Sequence, residues 1–144
     1  MKLITENRRA GFEYELLEKY EAGIVLTGDE IKSVRMGHFS IVDCYGFIKN
    51  GECFLRNSYI KEYSNSFDAG RNGDTSRKDR KLLLHKQEIE KIKKKIEQDR
   101  LTIVPTKAYF EGSNVKVEIA VARGKKLYDK RESLKQKDIE RRMR

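Results

Sequence analysis

The chain has one proline, no tryptophan, two histidines and two cysteines among 144 residues, and each scarcity removes a class of protein. Two cysteines, Cys44 and Cys53, are too few for a disulfide framework and lack the ligand spacing of a zinc site. If Asn50-Gly51 is a two-residue hairpin turn, Cys53 faces Ile48 and Cys44 faces Asn57. The sulfurs then lie about 13 Å apart, beyond bridging distance, and are read as reduced thiols. No apolar run approaches the roughly 18 residues of a membrane span. Met1 to Asn7 lack the apolar stretch of a secretory signal, so the expected compartment is the cytoplasm. Gly-rich phosphate loops, His-Glu-x-x-His and Gly-x-Ser-x-Gly are all missing. His38 and His85 stand singly, and Asp29, Glu30 and Asp43 read as cap and turn residues. We expect no enzyme, no metal and no cofactor.

What is abundant is charge. Charged residues make up 38% of the chain, as many as the hydrophobic ones, and the net charge is +9. Arg123 to Arg144 hold ten Lys or Arg against four Asp or Glu, so +6 of that excess lies in the last 22 residues. Such a balance suits nucleic acid. A membrane surface fits less well, because the basic runs lack bulky apolar residues at helical spacing. Within this arm, Gly124-Lys125-Lys126-Leu127-Tyr128-Asp129-Lys130-Arg131 combines a glycine hinge, cations for phosphates and one aromatic for stacking. Charge counting alone leaves open a solvated tail and a phosphate-binding arm.

Taken in order, Asn7 to Ala10 read as a basic lead-in. A strand-like run starts at Phe12, loses its alternation at Leu17 and continues from Tyr20 to Leu26, with Gly23 as a bulge or bend. Thr27-x-x-Glu30 has capping-box spacing and Gly37 suits the end of a short helix. That helix anchors through Ile31 and Val34 and turns Lys32 and Arg35 outward. Phe39–Lys49 and Glu52–Ile60 read as strands paired around Asn50-Gly51, with the inward face ambiguous. Residues 61–79 read as a long loop. Ile89, Ile92 and Ile96 mark an amphipathic helix over Lys86 to Gln98. Leu101–Phe110 and Val115–Val121 form a second hairpin around Gly112-Ser113-Asn114, with Pro105 at an edge or bulge.

Strands without βαβ alternation, one early helix and one late helix predict a mainly β fold. The expected architecture is a small antiparallel oligonucleotide-binding-type barrel with flanking helices. We place this barrel domain at residues 1–122 and a basic tail, disordered when free, at residues 123–144. Basic groups recur at Lys32 and Arg35, in the cluster from Arg77 to Lys81, at Lys116 on an outward strand face, and in the arm. Their combination on a barrel points to RNA binding.

Three blocks sharpen this. Glu21-Ala22-Gly23-Ile24-Val25-Leu26-Thr27-Gly28-Asp29-Glu30-Ile31-Lys32-Ser33-Val34-Arg35, then Arg80-Lys81-Leu82-Leu83-Leu84-His85, then Val121 to Arg131 resemble, in order, the signatures of the SsrA-binding protein (small protein B) family. The resemblance implies an RNA-binding adaptor with two partners, transfer-messenger RNA and the ribosome. It implies binding of that RNA's tRNA-like domain and delivery to stalled bacterial ribosomes for trans-translation. Membership of a different class, a basic structural ribosomal protein, is the alternative. By the same resemblance Glu21, Leu83 and Lys116 match RNA-contacting positions, and Gly23 permits close backbone approach. Lys32, Ser33, Arg35, Lys81, His85, Lys125 and Lys126 complete the candidate RNA-binding set. Tyr128, Asp129, Lys130 and Arg131 match positions implicated at the ribosomal decoding centre. A free monomer is expected.

Overall fold

The computed structural model describes residues 1–62 and 75–124. Its elements in chain order are β1 (Lys2–Glu6), α1 (Arg8–Glu13), β2 (Tyr14–Ile24), α2 (Gly28–Arg35), β3 (Phe39–Ser40), β4 (Tyr45–Lys49), β5 (Glu52–Arg56), β6 (Tyr59–Ile60), β7 (Arg80–Leu83), α3 (Lys86–Asp99), β8 (Thr102–Glu111) and β9 (Asn114–Gly124). The main sheet runs β1-β8-β4-β5-β7-β2-β9, and β9 returns to pair with β8. That return closes six strands into a mainly β barrel of the oligonucleotide-binding kind, with every ladder antiparallel. Strand β1 shares one edge of β8 with β4.

Local chemistry explains the hairpins. Asn50 and Gly51 both adopt positive φ, 53° and 75°, as a primed two-residue turn requires to follow the strand twist. The resulting register places Lys49 opposite Glu52 and Ile48 opposite Cys53, as the turn residues predict. At the second hairpin Glu111 faces Asn114 across Gly112-Ser113. The barrel closes between β4 and β8 where Gly46 meets Ile103; a Cβ there would lie 2.6 Å from the Ile103 side chain. Only glycine admits that approach.

Alternation fills the interior. Val115, Val117, Ile119 and Val121 of β9 are buried with Leu55, Leu82 and Ile103, each contributing roughly 1.5–3 kcal/mol on leaving water. The stripe of α3 buries Ile89 and Ile92, with Ile96 packed beside them. In α2 the Thr27 hydroxyl accepts from the Glu30 N–H at 3.2 Å while the Glu30 carboxylate accepts from the Thr27 N–H at 2.9 Å. Gly37 follows with φ 83°. Cys53 and Leu55 point inward, which resolves the ambiguous hairpin face and leaves Tyr45, Phe47 and Phe54 on the other side. Both cysteines are buried and free, and the Cys44 thiol donates to the Asn57 carbonyl at 3.1 Å. Burial pushes the two thiols up, to about 12 at Cys44 and about 11 at Cys53.

Several expectations need correcting. A strand, β1, precedes the basic lead-in, and the lead-in itself opens a helical turn, α1, to which Phe12 also belongs. That turn forms because Ala10 is buried against Val104, Ala120 and Ala122, while Asn7 binds the carbonyls of Thr106 and Pro105. Strand β2 is continuous. Its irregularity falls between Leu16 and Glu18, at the exposed Leu17, whereas Gly23 is regularly paired. The strand expected over Phe39–Lys49 is interrupted by a turn at Val42–Asp43, and Asn57, with φ 69°, separates β5 from β6. Pro105 is followed by the register shift at Thr106, the bulge its missing N–H suggests. Strand β9 continues through Arg123 and Gly124, which pair with Glu15 and Tyr14, two residues past the expected end of the barrel.

Candidate nucleic-acid interface

Strand registers bring distant residues into one row. Across the outer face, Leu83 of β7 faces Gly23 of β2, Gly23 faces Lys116 of β9, Lys116 faces Tyr109 of β8, and Tyr109 faces Leu3 of β1. Leu83 is 52% exposed and Val25 49%. Such exposure makes Leu83 a surface side chain rather than a core leucine. A Cβ on Gly23 would lie 3.3 Å from that of Leu83, so the glycine lets the leucine lie close to the β2 backbone. Gly23, Val25, Ile31, Leu83 and Lys116 line a groove of about 440 Å³ with an apolar floor and one cation, Lys116, at its edge.

That groove is the middle of a longer furrow. It shares Ser113 with a cleft of about 400 Å³ lined by Lys2 and Arg35. On the other side it shares Val25 and Leu26 with a cleft of about 210 Å³ lined by Lys78 and Lys81. Around the hydrophobic middle, the three clefts together carry five cations, Lys2, Arg35, Lys116, Lys78 and Lys81, beside the carboxylates of Glu30 and Asp79. Phosphates and unstacked bases need this combination.

One wall of the furrow is held from inside. Arg80 is 2% exposed. Its guanidinium donates to Glu30 at 2.6 Å, to the Ser58 hydroxyl and carbonyl at 2.8 Å each, and to the carbonyls of Thr75, Ser76 and Lys78 at 3.2 Å. Burial of Glu30 acts to raise its pKa. The Thr27 N–H, the Arg80 hydrogen bond and the charges of Arg80 and Lys78 outweigh this and hold it below the usual carboxylate value. The basic cluster read from Arg77 to Lys81 is thus divided: Arg80 is a buried tie between α2, the β5–β6 link at Ser58 and the segment ahead of β7. Arg77 lies over the Tyr59 ring at 5.1 Å, and Lys81 reaches Glu52 at 3.1 Å.

Other candidates separate as clearly. Ser33 is fully buried and its hydroxyl donates to the Lys61 carbonyl at 2.6 Å. It secures α2 to the chain after β6, and we remove it from the candidate contacts. Lys32 and Arg35 are exposed on α2. His85 is exposed and precedes α3, its backbone N–H bound by Glu88 at 3.2 Å. Glu21 is exposed on β2, two residues along from Gly23 and on the same face, and its carboxylate accepts from the Tyr109 hydroxyl. Val25 and Tyr109 escaped the sequence reading. The only signal for Val25 was its place two residues after Gly23, and for Tyr109 none short of the register. Lys125, Lys126, Tyr128, Asp129, Lys130 and Arg131 lie outside the described residues. Among the described residues no cluster of His, Cys, Asp or Glu fits a metal, and no helix is long and apolar enough to cross a membrane.

The chain that forms this furrow matches a known family. The family model described as SmpB protein matches residues 4–144. This chain belongs to the SmpB family. The SsrA-binding protein of Gloeothece citriformis is 54% identical over 142 residues, covering 99% of this chain and 90% of that protein. The SsrA-binding protein of Oleidesulfovibrio alaskensis is 49% identical over 139 residues, 96% of this chain and 88% of its own length. Among solved structures, a chain from "tmRNA-SmpB: a journey to the center of the bacterial ribosome" is 43% identical with a TM-score of 0.69, covering 90% of this chain and 93% of that one. SmpB family membership therefore holds across both the barrel and the basic C-terminal region.

Proposed function

We propose that this chain is an RNA-binding adaptor that binds the tRNA-like domain of transfer-messenger RNA and brings it to stalled ribosomes for trans-translation. Its relatives are named for binding SsrA, and the solved structure it resembles joins SmpB, transfer-messenger RNA and the bacterial ribosome. The observation that carries the reading is the furrow, where Gly23, Leu83 and Lys116, from three separate parts of the sequence, meet in an apolar groove flanked by further cations. In it Lys116 neutralises a phosphate, Leu83 and Val25 give an unstacked base an apolar floor, and Glu21 accepts from a 2′-hydroxyl or base amine. The segment from Lys125 onward, through Tyr128, Asp129, Lys130 and Arg131, meets the decoding centre. Work on the ribosome places the protein in the cytoplasm. We assign the chain no catalytic step: its chemistry is charge neutralisation, stacking and hydrogen bonding.

Purification from its host tests this. Transfer-messenger RNA should copurify, and ribosome association should be substoichiometric. One copy on every ribosome, without that RNA, would overturn the adaptor in favour of a structural ribosomal protein.

A further inference from the structure

Among the described residues, Tyr109 is the one buried phenol on the outer face of the barrel that touches a candidate RNA contact. It is 5% exposed, and its register partner on β9 is Lys116. Its hydroxyl does not bond to that neighbour. It reaches diagonally past β9 and donates to Oε2 of Glu21 on β2.

We propose that Tyr109 is a positioning residue that fixes the Glu21 carboxylate as an outward acceptor, so that the site reads a hydrogen-bond donor on the RNA. The inference rests on the assignment of Glu21 to the RNA interface. Its geometric basis is an accounting of charge and lone pairs. Glu21 sits directly opposite Glu118, a like-charge pairing that on an open sheet drives the two carboxylates apart. Glu118 is drawn away by the Thr106 hydroxyl at 2.5 Å and faces Lys107 on its far side. The Tyr109 hydroxyl does the corresponding work for Glu21. A carboxylate has about four acceptor positions; the phenol takes one, and Oε1 has no partner among the described residues.

The phenol suits this task because it stays a donor. Burial raises its pKa, and the hydrogen bond to Glu21 and the charges of Glu21, Glu111 and Glu118 raise it further. Lys107 approaches the ring at 5.9 Å from its centroid, far enough to leave the hydroxyl's direction to Glu21. With its one proton directed at Oε2, the pair offers only acceptors to the outside. A phosphate is repelled there and attracted at Lys116 beside it, whereas a 2′-hydroxyl or exocyclic amine is accepted. Recognition is thus divided between two adjacent positions of opposite preference.

The test is a double-mutant cycle of Tyr109→Phe and Glu21→Ala, read by affinity for a transcript of the tRNA-like domain at several salt concentrations. Circular dichroism would confirm that each protein is folded at the assay temperature. Tyr109→Phe should weaken binding about three- to tenfold, the scale of one charge-assisted hydrogen bond acting indirectly, with an unchanged salt slope. In the Glu21→Ala background it should cost nothing more. Independent, additive losses would overturn the proposal, as would full affinity in Tyr109→Phe alongside a loss in Glu21→Ala; both leave Glu21 in the interface. Full affinity in Glu21→Ala would instead remove Glu21 from the interface and the proposal with it. Glu21→Gln covers the case of an unstable Tyr109→Phe, since its amide oxygen still accepts from Tyr109 while its amide nitrogen turns a donor outward. It should bind as weakly as Glu21→Ala, and wild-type affinity in Glu21→Gln would overturn the proposal.

Discussion

Gly23 and Leu83 face each other across the β2–β7 ladder so closely that a Cβ on the glycine would stand 3.3 Å from the leucine's. The leucine is nonetheless 52% exposed, which separates its contribution to folding from its contribution to binding. Leu83→Ala should leave stability within about 0.5 kcal/mol of wild type, as for surface positions generally. It should lose about 1–3 kcal/mol of RNA affinity if an unstacked base lies on it. Thermal melting and a binding titration check the two halves; a large drop in melting temperature with intact affinity would make Leu83 a packing residue.

Lys116 lies between Gly23 and Tyr109 on the outer face. If it neutralises one phosphate, Lys116→Ala should reduce the slope of log K against log salt by about 0.7–0.9. Affinity should fall most at low salt and converge with wild type as salt rises. An unchanged slope would mean that the ammonium faces solvent in the complex.

Arg80 and Glu30 form a pair buried on one side, 2.6 Å apart, with side-chain exposures of 1% and 13%. Arg80→Ala leaves Glu30 with only Thr27 and Lys78 among the described residues and takes the donor from Ser58 and the carbonyls of Thr75, Ser76 and Lys78. It should cost about 3–5 kcal/mol of folding stability, measurable by denaturant titration. The Glu30 carboxyl is held below its ordinary value of 4.5 by partners present only in the folded state. Its stabilisation is therefore fully present above that pH and is lost as pH falls through the lower folded value. The stability gap between wild type and Glu30→Gln should be wide at pH 7 and narrow on acidification. A gap independent of pH would contradict the assignment.

These sites also show what a sequence can and cannot display. The turn at Asn50-Gly51, the Thr27–Glu30 box and the α3 isoleucines are local signals, decided within a few residues, and the structure follows them. Arg80 and Ser33 are misread from sequence because their burial depends on partners 22 to 50 residues away. A charged or hydroxyl side chain looks like surface until those partners are known. The short helix at Ala10 has the same origin: its packing against alanines of β9 lies beyond any window. At the interface, the family resemblance marks Gly23, Leu83 and Lys116, but only the folded structure adds Val25 and Tyr109.

The end of β9 at Gly124 shifts the boundary for a truncation. Removing residues 125–144 keeps the ladder to Tyr14 intact, so the barrel should fold and retain most of its RNA affinity while tagging of stalled peptides is abolished. Loss of both would defeat the division of labour between barrel and tail. Gel-shift titration and an in vitro tagging assay separate the outcomes.

The pairing of Gly124 with Tyr14 has one more consequence. The basic tail departs from a point fixed in the barrel's own frame. If the furrow engages RNA as proposed and that RNA docks, the tail's search for its proposed second contact is intramolecular. Its success then depends on local effective concentration rather than on how much protein the cell contains. Two modest grips joined in this way act as one strong one, and a tail supplied separately should fail to rescue at any ordinary dose.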